Sequence, residues 1–285
     1  SALGGELLNL MQGADALVHV VRIFDNAAVP VADGAVTPEE AIVGMDLELV
    51  MVDIGILERR SERLTSSLRG AKATERASIE KELELVTRVH AALEGEVPVY
   101  KQDLSKEDEF KLANFNLVTA KPMMVVLNIS ENNIADATKL EAEWNERLSV
   151  RGRVVVSLCA ELERELAQLS DEDAAEFRDS LGLKEPGRDH VARASYELLG
   201  LVSFLTAGPD EVRAWTIAKE TPAQKAAGKI HSDIERGFIR AEVVTYDDLI
   251  AAGGLAEAKK VGKFRLEGKT YPMQDGDVVN FLFSV

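Results

Sequence analysis

The chain has 285 residues and sets 33 Lys and Arg against 49 Asp and Glu, a net charge of −16 with histidine neutral. That balance excludes a protein that coats nucleic acid through bulk charge, and the length suffices for two or three domains. The single cysteine, Cys159, excludes a disulfide framework and points to a cytoplasmic setting, and no apolar run is long enough to span a membrane.

The acidity is uneven. The last 75 residues hold about 11 charges of each sign, so the excess lies upstream and the C-terminal part is free to touch RNA locally. Ser1-Ala2-Leu3 begins neither a signal peptide nor an initiator Met, and the chain is expected to start in mid-domain.

In chain order, Leu3 to Met11 fits the end of an amphipathic helix, with Gly13 as its stop. Ala16 to Phe24 is rich in β-branched residues and reads as a strand closed by the Asp25-Asn26 turn. His19 within it reads as a packed, hydrogen-bonded core residue rather than a ligand. Val29 to Thr37 is a loop containing Pro30 and Gly34. Thr37-Pro38-Glu39-Glu40 is a helix start, with Thr as cap, Pro in the first turn and Glu closing a capping box.

The helix that follows is expected to reach about Arg69. Its apolar stripe is Met45, Leu49, Val52 and Ile56, which shifts and resumes at Leu57, Leu64 and Leu68. A second helix, from about Thr74 to Leu93, carries Ile79, Leu83, Val86, His90 and Leu93. Matching stripes on antiparallel helices make a coiled-coil-like hairpin. Either it projects as an arm that meets a partner or it packs on the domain; its length and dense surface charge favour the arm.

Pro122 to Glu131 reads as a buried strand ending in a polar loop. Met123 to Leu127 is apolar without alternation, as in a strand covered on both faces. Asn128, Ile129 and Glu131 then fall at the carboxyl end of that strand, the edge at which open α/β sheets bind ligands. Ala135 to Leu148 is a helix, and Arg153 to Leu158 holds the next buried strand, followed by Cys159-Ala160. Cys159 reads as a small buried hydrophobe rather than a redox group. Ser170 caps a helix to about Leu181, a break spans Gly182 to Gly187, and a helix runs from about Arg188 to Gly200. Thr206 to Pro209 looks like a linker turn.

From Glu211 the pattern changes to short strands around one helix that begins at Thr221-Pro222, with Asp275-Gly276-Asp277 as a closing turn. Arg213, Lys229, His231, Arg236 and Arg240 are candidates for an RNA- or ribosome-facing patch. Alternatively His231 and Asp233 hold a turn and the basic residues are solvated.

Three stretches together resemble the YchF / Obg-like ATPase family: Leu3-Gly4, Leu7-Leu8 and Ala14 to Phe24; Asn128-Ile129-Ser130-Glu131; and Ile230 to Val243, which is similar to the TGS domain as it occurs there. The resemblance implies an α/β fold: a P-loop NTPase (Rossmann-like) parallel sheet, incomplete here, with an inserted helical coiled-coil hairpin and a C-terminal β-grasp, ubiquitin-like TGS domain. It implies a nucleotide-binding domain over 1–36 and 115–200, an arm over 37–114 and a TGS domain over 201–285. P-loop GTPases carry Asn-Lys-x-Asp where this chain has Asn-Ile-Ser-Glu. The longer Glu131 carboxylate leaves guanine without its bidentate partner, so the family reading is ATP, with GTP weaker. It places Asn128, Ile129 and Glu131 at the adenine edge and Ser157, Cys159 and Ala160 in a supporting loop whose amides face the purine.

No Gly-x-x-x-x-Gly-Lys-Ser/Thr occurs in the sequence, so the groups that hold phosphate and Mg²⁺ are expected in a preceding segment. No catalytic residue is expected here, the chain alone is expected to hydrolyse nucleotide poorly, and the sheet is expected to show an open, apolar edge. The implied partners are nucleotide and the ribosome or its RNA, without DNA or membrane. The alternative is a non-catalytic docking module that acts through the arm and the TGS-like domain. A TGS domain borrowed by a tRNA synthetase or a stringent-response enzyme ranks below both, since neither family places a hairpin and an Asn-x-x-Glu strand upstream.

Overall fold

A computed structural model describes residues 4–26, 29, 37–148, 152–208 and 211–284. Leu3, positions 30–36 of the expected Val29 to Thr37 loop, and Pro209 lie outside the described residues. The chain divides into two compact units, Ser1–Ala194 and Ser195–Val285.

In the first unit, α1 (Gly5–Gly13) ends at the expected Gly13 stop and leads into β1 (Leu17–Ile23). The helices α2 (Pro38–Gly70) and α3 (Ala73–Glu94) form the hairpin. After α4 (Lys106–Leu112) and short 3₁₀ turns come β2 (Met123–Ile129), α5 (Ala137–Arg147) and β3 (Arg153–Leu158). The helices α6 (Ala160–Leu166) and α7 (Asp171–Ser180) follow, and α8 (Gly187–Leu198) begins in this unit and ends in the second. The three strands form one parallel sheet in the order β1-β2-β3, with Asn128 level with Leu158 and Arg22.

Its central strand is the uninterrupted apolar run, and Met123 to Leu127 are all buried. At the edge, β1 alternates, and Val18 and Val20 remain 57% and 61% exposed. His19 differs from its expected role. It is only half-buried, and its Nδ1 is enclosed without a hydrogen-bond partner among the described residues. Burial lowers its pKa; nearby Asp46 raises it, and Arg153 lowers it further.

Thr37 caps α2 as a full capping box, its hydroxyl accepting from the Glu40 N–H at 3.2 Å while Glu40 accepts from the Thr37 N–H at 3.0 Å. Thr37→Ala is expected to cost about 1 kcal/mol in urea denaturation, with no change in m value.

Two stripes, not one shifted stripe, explain the apolar pattern of α2. Met45, Leu49, Val52 and Ile56 face Leu17, Val118 and Met123 on the sheet side. Val50, Leu57 and Leu64 form the seam with Leu85, Val86, Val89 and Leu93 of α3. The α3 stripe is correspondingly broader than expected, because Val99, Leu112 and Leu117 cover the base of the hairpin. Towards the tip this third layer ends, and positions 65–78 contain no buried residue.

At the seam spacing sits Asp53, fully buried. Its carboxylate accepts from the Val118 and Thr119 N–H groups, both at 2.8 Å, and from Thr119 Oγ1 at 2.6 Å. Thr119 Oγ1 in turn accepts from the Val99 N–H at 3.0 Å. One acidic side chain therefore ties the middle of α2 to the turn that launches β2.

The second unit contains β4 (Leu201–Ala207), β5 (Val212–Ala218), α9 (Ala223–Ile230), α10 (Ser232–Arg236), β6 (Phe238–Thr245), α11 (Tyr246–Ala252), α12 (Leu255–Lys260), β7 (Arg265–Glu267) and β8 (Asp277–Phe283). The sheet order is β5-β4-β8-β6-β7, with β4 and β8 parallel at its centre. Thr206 and Ala207 thus end a central strand rather than start a linker. The strand is hard to see in sequence because Leu201 to Ala207 follows a helix almost directly, with only Leu199 and Gly200 between them.

One face buries Phe204, Ile217, Ala241, Val243 and Phe281 against the small face of α9, formed by Ala223, Ala226 and Ala227. The other face packs Val244 and Val278 against Ala258 of α12 and Leu249 of α11, two helices that the strand-rich reading of this region does not anticipate. The Asp275-Gly276-Asp277 turn is present. Gly276 has φ +75°, Asp275 accepts from the Ser203 N–H at 2.8 Å, and buried Asp277 accepts from the Gln274 N–H at 2.9 Å and Tyr271 Oη at 3.0 Å.

Candidate functional site

The parallel pairing of β2 and β3 brings the two candidate loops together at one edge. Asn128 is the penultimate residue of β2, and its Oδ1 accepts the Ala160 N–H at 3.1 Å. Beyond Ile129, the chain enters a 3₁₀ turn, Glu131–Asp136, which begins with Glu131 exposed to solvent. Ser130 Oγ lies 2.7 Å from Asn133 Oδ1 and steadies that turn. The site edge is therefore one short bridge between loops, with an exposed carboxylate beside it.

The second loop is more committed than expected. The Ser157 N–H donates to Glu141 Oε2 at 2.8 Å, and the Ser157 hydroxyl lies 3.1 Å from the Ala137 carbonyl and 3.2 Å from Glu141 Oε2. With the Ala160 N–H held by Asn128, two of the amides expected to face a purine already have protein acceptors. Cys159 is buried, in agreement with its reading as a small hydrophobe. Ile129, Ser157 and Cys159 line a common cavity with Ala137, Leu162 and His190. Its volume is about 50 Å³. That is room for a water molecule, well below the several hundred Å³ of ligand pockets.

Sequence reasoning misses Glu141 and His190, which stand behind this loop. Glu141 is flanked by Leu140 and Trp144 on an ordinary amphipathic helix, and nothing in that spacing marks it. Glu185 likewise reads as part of a break; Arg193 beside it holds its carboxyl below the usual range. Among the described residues, no three His, Cys, Asp or Glu side chains converge as a metal site.

The five basic candidates of the second unit do not form one surface. Arg213 shares the β5 face of Trp215 and Ile217, and its guanidinium stacks 4.2 Å from the Trp215 ring centroid. Arg240 alternates with Ala241 and Val243 of that same core and so points from the opposite face of the sheet. His231 caps α10, its Nδ1 accepting the Asp233 N–H at 3.1 Å, which is the turn-holding role weighed against RNA contact. Arg236 is paired with Asp233. Lys229 is exposed in the last turn of α9.

A parallel α/β sheet with a helical hairpin between its first two strands, joined in sequence to a five-stranded unit with helices on both faces, defines an α/β protein with a C-terminal TGS-like fold. Residues 201–284 match the family described as YchF-GTPase_C, a protein of unknown function (DUF933). The chain is 40% identical to the ribosome-binding ATPase YchF of Bacillus subtilis over 99% of its own length and 77% of that protein. It is 33% identical to the Obg-like ATPase 1 of Oryza sativa, covering 99% of the chain and 71% of that protein. The structure of the Schizosaccharomyces pombe YchF GTPase superposes with a TM-score of 0.81 at 30% identity, over 98% of this chain and 75% of that one. The chain belongs to the YchF family.

Proposed function

We infer that the chain is a ribosome-associated nucleotide-binding protein that takes ATP in preference to GTP as part of a Mg²⁺-dependent ATPase of the cytoplasm. The observation that carries the nucleotide reading is the Asn128–Ala160 bridge at the carboxyl edge of β2 and β3, with Glu131 exposed beside it. A carboxylate only accepts hydrogen bonds, and the exocyclic amino group of adenine is a donor. Asn128 sets the loop spacing, Ile129 and the 157–160 loop shape the floor, and Glu131 reads the base edge. The nucleotide-binding part comprises 1–36 and 115–200, the arm 37–114 and the TGS domain 201–285. No helix among the described residues is long and apolar enough to cross a membrane. The relatives named as ribosome-binding support the partner, and the uncovered hairpin tip and the exposed Arg236 and Arg240 are the surfaces assigned to it.

Titration of the chain with ATP and with GTP tests this reading. ATP is expected to bind more tightly, and Glu131→Asp is expected to narrow the preference by roughly tenfold, the value of one charged hydrogen bond. Equal affinities, or a preference that Glu131→Asp leaves unmoved, would sink the assignment of Glu131. Reversing Arg236 and Arg240 to Glu is expected to abolish ribosome co-sedimentation while nucleotide affinity is retained. Unchanged co-sedimentation removes these two residues from the interface.

A further inference from the structure

The 157–160 loop is gripped from behind by polar side chains that the nucleotide reading does not use. Glu141 divides its two oxygens. Oε2 takes the Ser157 N–H, and Oε1 faces His190 Nε2 at 3.3 Å. The other ring nitrogen of His190 faces Glu185 Oε1 at 3.5 Å, and Glu185 also pairs with Arg193. The segment that brings in Glu185 and His190 crosses closely over α6. The Gly187 N–H donates to Glu163 Oε1 at 2.9 Å, and a Cβ at position 187 would lie 2.8 Å from Glu163 Cδ. Leu183 of the same segment lines the small cavity that Cys159 also lines.

Glu141, Glu185 and His190 are mostly covered, with side-chain exposures of 23%, 31% and 28%. Covering polar and ionisable groups costs solvation that well-packed apolar side chains would avoid. What this arrangement supplies instead is direction. An acceptor is aimed at one particular amide, and that acceptor is itself held on its far side. A loop whose amide is fixed in this way has a defined spacing from Asn128, its other anchor.

The geometry points to Glu141 and His190 as positioning residues that clip the 157–160 loop in place and thereby set the discrimination between purines at the Asn128–Glu131 edge. This rests on the nucleotide reading above. In Glu141→Ala, the Ser157 N–H loses its acceptor, while the Ser157 hydroxyl still reaches the Ala137 carbonyl of α5. In Glu141→Gln, the amide oxygen still accepts from Ser157, and the amide NH₂ can donate to an imidazole nitrogen.

The test combines amide hydrogen exchange at Ser157 and Ala160 with ATP and GTP titrations of the wild-type chain, Glu141→Ala, Glu141→Gln and His190→Ala. Glu141→Ala is expected to exchange at Ser157 roughly tenfold faster, to bind ATP roughly tenfold more weakly and to bring the ATP-to-GTP ratio towards one. Glu141→Gln is expected to restore both readouts, and His190→Ala to shift both in the same direction as Glu141→Ala by a smaller factor. A merely structural role would weaken ATP and GTP equally and leave their ratio intact. Unchanged exchange at Ser157 in Glu141→Ala overturns the clip. Faster exchange with an unchanged ratio overturns its link to purine choice. If Glu141→Ala does not fold, His190→Ala, which leaves the Ser157–Glu141 bond in place, decides by the same two readouts. A wild-type chain that binds neither nucleotide overturns the nucleotide reading and the purine role with it, while the exchange data separately uphold or overturn the clip.

Discussion

Replacing Asp53 by Ala is expected to destabilise the first unit by about 3 kcal/mol, the largest single-residue loss outside the apolar core. The side chain is fully buried and satisfies two backbone N–H groups and a hydroxyl. Truncation strands the Val118 and Thr119 amides, at about 1–3 kcal/mol each, and this is offset in part by no longer burying a carboxylate. Urea denaturation followed by far-ultraviolet circular dichroism reads the effect as a lower midpoint. A shift below about 0.5 kcal/mol would mean that the 118–120 turn finds other acceptors. Asp53→Asn is not a neutral replacement, since its NH₂ group has to face one of the donors.

The same residue gives a pH signature. Burial pushes the Asp53 carboxyl from its ordinary 3.8 up to about 6, against the opposing pull of the Thr119 and Val118 hydrogen bonds and of Lys121. A carboxyl with a raised folded pKa binds its proton more tightly when folded. Its contribution to stability is therefore full below about pH 4 and declines as pH rises through about 6, by roughly 3 kcal/mol at most. The difference in stability between wild type and Asp53→Asn, measured from about pH 4 to about pH 7, should fall across that window. A flat difference would show that the hydrogen bonds cancel the cost of burial.

In the second unit the corresponding effect belongs to Phe204. It is fully buried at the centre of the sheet, edge-on to Phe281 with ring centroids 5.8 Å apart and stacked on Trp215 at 6.4 Å. Phe204→Ala is expected to cost about 3–5 kcal/mol through lost burial and the cavity left between β4 and α9. The chain has two tryptophans, and Trp215 lies against this site, so its fluorescence follows the transition directly. In Phe204→Leu, which keeps most of the volume, half or more of the loss should be recovered. Equal losses in both variants would assign the effect to the ring contacts rather than to the cavity.

Some of this protein is legible without coordinates, where local chemistry suffices. Thr37-Pro38-Glu39-Glu40 specifies a helix start by itself, because a capping box closes within four residues. The run Met123 to Leu127 specifies a strand buried on both faces, and Gly276 specifies its turn through a positive φ. The meeting of Asn128 with the 157–160 loop follows once two neighbouring strands are parallel, since both loops then leave the same edge.

Other features depend on what packs against what, which spacing within one element does not encode. The α2 pattern that reads as one shifted stripe is two stripes, because that helix is covered by the sheet on one side and by α3 on the other. Arg213 and Arg240 look like members of one patch in sequence, yet sheet alternation sends them to opposite faces. Asp53 stands at a seam position, where a carboxylate in an apolar stripe is visible in sequence. Its partners, 65 residues away along the chain, are not. Glu141 and His190 are the furthest case. Helix periodicity supplies only which face of α5 and α8 each occupies, and the hold they exert on Ser157 exists only where three separate chain segments converge.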